Sequence, residues 1–325
     1  MEENILEQRT DLSSLQESVE KLKQEIGKVI VGQEQMVELL LAAVLADGHV
    51  LIEGVPGVAK TLTAKLLSKS ISVGFSRIQF TPDLMPSDVI GTSIFNPKET
   101  TFQFKQGPIF SNIILIDEIN RAPAKTQAAL FEVMEERQVT VDGQTYHLDS
   151  PFIVVATQNP IEQEGTYHLP EAQLDRFLFK INVLYPTAEQ EFNILMHHHQ
   201  SRPETFLSRI HPVLSATDID LLRTQVRGIH VEDKLLTYIT AIVGNTRAHK
   251  SIYLGASPRA SIGILNGAKA LAAMRGRDFI TPEDIIYVAP AVLRHRVTLS
   301  PEKEMEGTDA DEVIKQIIES VEVPR

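Results

Sequence analysis

The chain holds 325 residues, 43% of them hydrophobic and 23% charged, with a formal net charge of −12, which predicts a globular protein of two domains rather than one small core. It contains no cysteine, which excludes disulfides and thiolate zinc sites and fits a reducing, cytoplasmic setting. Nucleic-acid binding rests largely on cation–phosphate contacts, so 43 acidic against 31 basic residues weigh against it unless a local basic patch intervenes.

The start, Met1-Glu2-Glu3, lacks the basic-then-apolar pattern of a secretory leader. The longest apolar stretch, 36–52, is interrupted by Glu38, Asp47 and Gly48, so no membrane insertion is expected. Within 4–30, Leu15, Val19, Leu22, Ile26 and Ile30 recur at helical spacing. A break at Gly32 precedes a second helical stretch, 33–46. Five short apolar runs follow, 49–53, 77–81, 113–117, 152–157 and 177–185, each strand-like. Helical patterns at 61–72, 86–90 and 123–136 lie between them. Strands alternating with helices predict an α/β fold with a five-stranded parallel sheet covered on both faces. Two stretches break the rhythm. Segments 92–95 and 101–105 flank a turn with Asn96-Pro97, and 138–141 and 144–148 flank Asp142-Gly143, a strong hairpin signal. Two β-hairpins are therefore expected as inserts in the α/β core.

After Tyr185-Pro186 the pattern turns helical: 189–199, a linker at 201–204, and helices alone from 217 to 296. Their starts are marked by Ser215 or Thr217, Ser257-Pro258 and Thr281-Pro282, an N-cap followed by proline in the first turn. A further helix is expected at 309–320. The division read from this is 1–32, a helix packing on the core; 33–204, a nucleotide-binding α/β domain; 205–300, an all-helical lid; and 301–325, a tail.

The first strand runs into Gly54-Val55-Pro56-Gly57-Val58-Ala59-Lys60-Thr61, followed by Leu62 and a helical pattern. This is the phosphate loop G-x-x-x-x-G-K-[ST] with alanine at the last glycine position. Such a loop aims backbone N–H groups and a helix N-terminus at phosphates. Lys60 would reach the β- and γ-phosphates, and Thr61 would set its hydroxyl on Mg²⁺. A strand-to-helix turn with an incidental lysine is the competing reading. Alanine adds only a methyl group, so residue 59 is expected at negative φ as the helix begins, with Gly57 in any left-handed position. The third run, Ile113-Ile114-Leu115-Ile116, ends in Asp117-Glu118. A buried strand would deliver both acids to its carboxyl end, where ligands bind in open α/β sheets. Asp117 would hold Mg²⁺ through water, and Glu118 would act as general base on the attacking water. A fourth strand ends in Gln158-Asn159. Asn159 would orient that water, although a turn-forming Asn before Pro160 fits the local sequence equally well. Arg176, before the last strand, and Arg259, at a helix start, suit the neutralisation of γ-phosphate charge; a surface salt bridge is the plainer reading of either alone.

Taken together, Val31-Gly32-Gln33, GVPGVAKT, LIDEINRAPAKTQAALFEVMEERQVTVDG, ATQNP, EGTYHLPEAQLDRF and GASPRA resemble the MoxR family of AAA+ ATPases, over 15–300 and in the family's order. The Ala-Lys-Thr ending of the loop is usual there. The resemblance implies binding of ATP and Mg²⁺, with Val31, Gly32 and Gln33 near the adenine. It implies sensor 1 at Asn159, sensor 2 at Arg259 and an arginine finger at Arg176 reaching a neighbouring subunit's site. It implies a homo-oligomeric, hexameric ring whose hairpins line a pore. It also implies a chaperone-like activity on a protein partner, in some cases one with a von Willebrand factor A domain, toward metal-cofactor insertion or complex assembly.

Other features are read as ordinary surface. His197-His198-His199 sit on a helix, where adjacent side chains point about 100° apart and cannot converge on one ion. Glu132, Glu135 and Glu136 read as a solvated helix face. Glu162, Glu164 and His168 lie in a loop near the presumed site and are candidates to orient Arg176. Two other functions compete: a nucleic-acid motor with similar hairpins, and a nucleotide-gated scaffold with little turnover. The hairpin 138–148 has no Lys or Arg, and Lys98 and Lys105 on the other are offset by Glu99, which disfavours the motor.

Overall fold

The computed structural model describes residues 11–160, 167, 169–200 and 207–324. Glu162, Glu164, His168 and the linker at 201–204 lie outside them. The chain opens with α1 (Ser13–Gly27) and α2 (Glu34–Leu45). Leu15, Val19, Leu22 and Ile26, one per helical turn, are all buried on α1, each contributing about 2 kcal/mol of transfer free energy. They pack α1 on α2 and on the helix after β1.

The α/β core then runs β1 (His49–Gly54), α3 (Lys60–Ser70), β2 (Phe75–Gln79), α4 (Pro86–Ile90), β3 (Gly91–Asn96), β4 (Thr101–Gln106), β5 (Ile113–Asp117), α5 (Ala124–Glu136), β6 (Gln138–Val141), β7 (Gln144–His147), β8 (Ile153–Gln158), α6 (Glu171–Leu174), β9 (Phe177–Val183) and α7 (Ala188–Gln200). The expected five-stranded parallel sheet has the order β2-β5-β8-β1-β9. Strand side chains alternate between its faces. Val50, Ile52, Ile113, Leu115, Ile153 and Val155 face a core shared with α1–α3. Leu51, Ile114, Ile116, Val154 and Ala156 face one shared with α5. Because both faces are covered, β5 is buried throughout, as its unbroken apolar run required.

Both expected hairpins are present, β3 with β4 and β6 with β7, each a separate two-stranded sheet. The β6–β7 turn has Asp142 at φ 52 and Gly143 at φ 77, the double positive φ of a tight hairpin turn. The hairpins touch: Ser93 Oγ donates to Asp142, and the Phe104 and Tyr146 ring centroids lie 4.7 Å apart.

After α7 come α8 (Ala216–Arg227), α9 (Asp233–Ala248), β10 (Ile252–Leu254), α10 (Pro258–Met274), α11 (Pro282–Leu293) and β11 (Thr298–Leu299), then α12 (Pro301–Met305) and α13 (Ala310–Ser320). Helices α8, α10 and α11 begin where their capping residues predicted, after Ser215, Ser257 and Thr281. One departure from an all-helical lid is a small antiparallel pair, β10 with β11. Strands of three and two residues are too short to show a period. Helix α13 buries Val313, Ile314, Ile317 and Ile318 against α9 and α11.

Candidate functional site

The phosphate loop leaves β1 at Gly54, where an added Cβ would stand 2.6 Å from the Val183 carbonyl oxygen; β9 passes too close for any side chain. Gly57 takes the left-handed conformation, φ 88, as expected. Ala59 does not follow the expectation of negative φ: it is left-handed as well, φ 63 and ψ 18, as the N-cap of α3. Alternating right- and left-handed residues turn successive N–H groups into one concavity, the geometry that receives an anion. For alanine that conformation costs about 1 kcal/mol, and its neighbours enforce it. Val58 is buried, and the Ala59 carbonyl accepts from both Thr63 N (2.9 Å) and Thr63 Oγ1 (3.0 Å). Alanine is therefore tolerated because surrounding contacts impose the left-handed turn, with its methyl packed on the core. Lys60 Nζ curls back to donate to the Gly54 carbonyl, and Thr61 and Leu62 follow in the first turn of α3.

The ends of β5 and β8 lie beside the loop, because β8 separates β5 from β1. Asp117 is almost fully buried; its Oδ2 accepts from Arg77 Nε at 2.6 Å and its Oδ1 from Thr157 Oγ1 at 3.3 Å. A carboxylate has about four lone-pair positions, so both oxygens retain capacity toward a metal-bound water. Glu118 stands at φ 57 and ψ 55, a strained backbone for a non-glycine residue and frequent at functional sites. Its N–H donates to Thr157 Oγ1 (3.1 Å), its Oε2 accepts from Gln79 Nε2 (2.8 Å), and the Arg121 guanidinium forms an ion pair with Oε2 (3.0 Å). Asn159 is buried just past β8. Val31, Gly32 and Gln33 lie by the end of β9: Gln33 Nε2 is 3.5 Å from the Leu184 carbonyl oxygen, and the Gln190 side chain covers Gly32. The structure thus gathers the loop, both acids and Asn159 at one end of the sheet.

Arg176 and Arg259 are at the other end. Phe177, which follows Arg176, is the register partner of His49, the first residue of β1. The six residues of β1 separate this end from the loop by about 17 Å. His49 Nδ1 accepts from Val154 N (3.0 Å), so its proton sits on Nε2, which donates to the Met134 carbonyl (3.1 Å) near the end of α5. Burial, reinforced by the positive charge of Arg137, lowers the His49 pKa to about 4. On the residue after Met134, Glu135 Oε2 accepts from Arg176 Nη1 (3.1 Å) and Oε1 from Arg259 Nη2 (3.0 Å). Glu135 is thus not simply part of a solvated acidic face, because one carboxylate joins residues from α5, the β9 entry and α10. The neighbouring side chains are joined too: the Asp175 carboxylate accepts from Ser257 Oγ (2.9 Å) and Arg296 Nε (2.6 Å).

Sequence reasoning missed Arg77, Gln79, Arg121 and Glu135. Arg77 and Gln79, two apart at the end of β2, share a sheet face, a signal that marks them once the neighbouring strand is known. Glu135 carried no signal, since its partners are 41 and 124 residues away. His197–His199 are exposed on α7. Among the described residues no group of three or more His, Asp or Glu could hold a metal ion, and no helix is long and apolar enough to cross a membrane.

A family model for the ATPase family associated with various cellular activities (AAA) matches residues 49–179, and a model for the AAA lid domain matches residues 244–317. The chain is 49% identical over 304 residues to the uncharacterized protein YeaC of Bacillus subtilis, covering 94% of each. It is 45% identical over 310 residues to the chaperone MoxR1 of Mycobacterium tuberculosis, covering 93% of this chain and 81% of that protein. A crystal structure of a Cytophaga hutchinsonii protein, described as a candidate ATPase, superposes with a TM-score of 0.89 at 42% identity and 97% coverage of both chains. With a phosphate loop and an acid pair on this sheet, the chain belongs to the MoxR family of AAA+ ATPases, enzymes that bind and hydrolyse ATP.

Proposed function

We propose that this chain hydrolyses Mg-ATP at sites shared between neighbouring copies of a hexameric ring, and uses the turnover to remodel a protein partner in the cytoplasm. The observation that carries the reading is the division of the catalytic set. Lys60, Asp117, Glu118 and Asn159 share one end of the sheet, while Arg176 and Arg259 share a carboxylate at the other.

Residues 33–204 carry most of the nucleotide site, and the lid, 205–300, contributes Arg259. The N–H groups of Val55 to Thr61 cradle the phosphates, Lys60 turns from the Gly54 carbonyl to the β- and γ-phosphates, and Leu62 continues the helix whose N-terminus faces them. Thr61 and Asp117 would hold a magnesium ion. Magnesium, when bound, neutralises charge on the β- and γ-phosphate oxygens. Val31, Gly32 and Gln33 flank the adenine. Glu118, its Oε2 held by Gln79 and Arg121, takes the proton from the attacking water, and Asn159 orients that water. Placed at the opposite end of a strand about 17 Å long from their own loop, Arg176 and Arg259 both act in trans, on a neighbour's γ-phosphate.

A protein partner is favoured over nucleic acid by the hairpins. Ile94, Phe95 and Phe102 are exposed on β3–β4, and 138–148 has no Lys or Arg. A relative named a chaperone supports the same direction, and a partner with a von Willebrand factor A domain, in metal-cofactor insertion or complex assembly, follows from the family pattern. The test is ATPase activity against protein concentration. Specific activity rises with concentration if sites form between copies; constant specific activity from the monomeric to the assembled range contradicts the reading.

A further inference from the structure

We infer that Glu135 is a positioning residue for ATP hydrolysis: it gathers Arg176 and Arg259 into one cationic unit presented to the neighbouring subunit's γ-phosphate. The inference rests on the shared-site reading above and adds a residue to it.

The two guanidiniums come from distant segments and carry like charges, so nothing intrinsic holds them together. Glu135 supplies the counter-charge, giving one oxygen to each at 3.1 and 3.0 Å. Arg176 is fixed further by a second acceptor for Nη1, the Phe131 carbonyl one turn earlier on α5 (2.9 Å). The Asp175–Ser257 side-chain bond already ties the two segments together, and Arg296, just past α11, anchors Asp175. What remains for Glu135 is the aim of the side chains. One carboxylate against two guanidiniums leaves the unit with a net positive charge, so it still attracts phosphate.

Stability is not its purpose. All three side chains are partly exposed, and exposed ion pairs contribute little to folding. Charge stabilisation in phosphoryl transfer depends on placing cations at the developing charge, and small misplacements carry large kinetic penalties. A carboxylate fixing two cations before the neighbour arrives lowers the ordering cost at the moment of assembly.

The test compares full-length Glu135→Ala and Glu135→Gln with the wild type at a concentration where wild-type specific activity is saturated. Glu135→Ala should lower kcat about 10- to 100-fold while KM for ATP changes by less than about twofold, because the nucleotide-binding end is untouched. Isosteric Glu135→Gln, which keeps one acceptor oxygen but no charge, should fall between and guards against a folding defect. Adding Glu135→Ala to Arg176→Ala/Arg259→Ala should cost nothing further, since Glu135 acts only through the arginines. An unchanged or raised kcat in Glu135→Ala, or an additive loss in the arginine double mutant, overturns the proposal. If Arg176→Ala itself retains wild-type kcat, the shared-site reading fails instead, and the two failures are distinguishable.

Discussion

At the phosphate end of the sheet, the chemistry-bearing groups are held by burial and short contacts: the Asp117 side chain is 10% exposed, Glu118 is pinned by the Thr157 and Gln79 side chains, and Ala59 sits in a left-handed turn at the start of α3. At the opposite end, Arg259 is 50% exposed and both arginines hang from one carboxylate that is itself 42% exposed. The first arrangement suits groups that must already be in place when a small ligand arrives. The second suits long cations presented outward, whose target belongs to another molecule. One half is rigid and inward, the other adjustable and outward, and on the proposed reading the two complete each other between copies.

That contrast can be broken from either end. Arg176→Ala should reduce kcat about 10³-fold yet leave nucleotide affinity of the isolated protomer unchanged, measured with a fluorescent ATP analogue; weaker binding in the monomer would place Arg176 at its own site. Glu118→Gln should lose turnover on a similar scale, about 10³-fold, while retaining bound ATP, read from single-turnover hydrolysis and nucleotide retention. Wild-type turnover would remove Glu118 from the role of base.

Acid should act through the arginine end. His49 is held neutral, its pKa lowered to about 4 from 6.5. Below pH 6.5 the unfolded chain therefore binds a proton that the folded chain refuses. Stability from this residue is full above pH 6.5 and is lost progressively as pH falls toward about 4. Its total is about 3 kcal/mol. A His49→Gln variant should show a flatter decline of chemical-denaturation midpoint across that window; an identical slope would exclude His49 as the source. The smallest effect is expected at the loop. Ala59→Gly relieves the left-handed strain but adds unfolded-state entropy, for a net gain of about 0.5 kcal/mol, visible as a small rise in Tm. A fall in Tm would show that the methyl's packing on the core outweighs the strain.

Much of the phosphate end was legible in the sequence, because its residues are local to strand ends. An apolar run that stops at Asp117-Glu118 places both acids once the sheet is parallel, and the loop carries its own pattern. The φ of Ala59 was not legible. Side-chain size argued for negative φ, whereas the geometry follows from where Val58 is buried and where Thr63 donates. Strand β2 was read two residues late, at 77–81 instead of Phe75–Gln79, because its half-exposed residues alternate weakly. At the arginine end, Arg176 and Arg259 were candidates by residue type and by the family resemblance. Glu135 could not be read, because its two partners become neighbours only after the lid docks on the core.

The most direct measurement of the divided site mixes Arg176→Ala with Lys60→Ala protein, each inactive alone. In mixed rings, an Arg176→Ala protomer with an intact loop can sit against a Lys60→Ala protomer with intact arginines, building a complete site. ATPase activity should therefore reappear on mixing and peak at intermediate ratios. No recovery at any ratio, with mixed rings verified by differential tagging, would contradict a site shared between two copies.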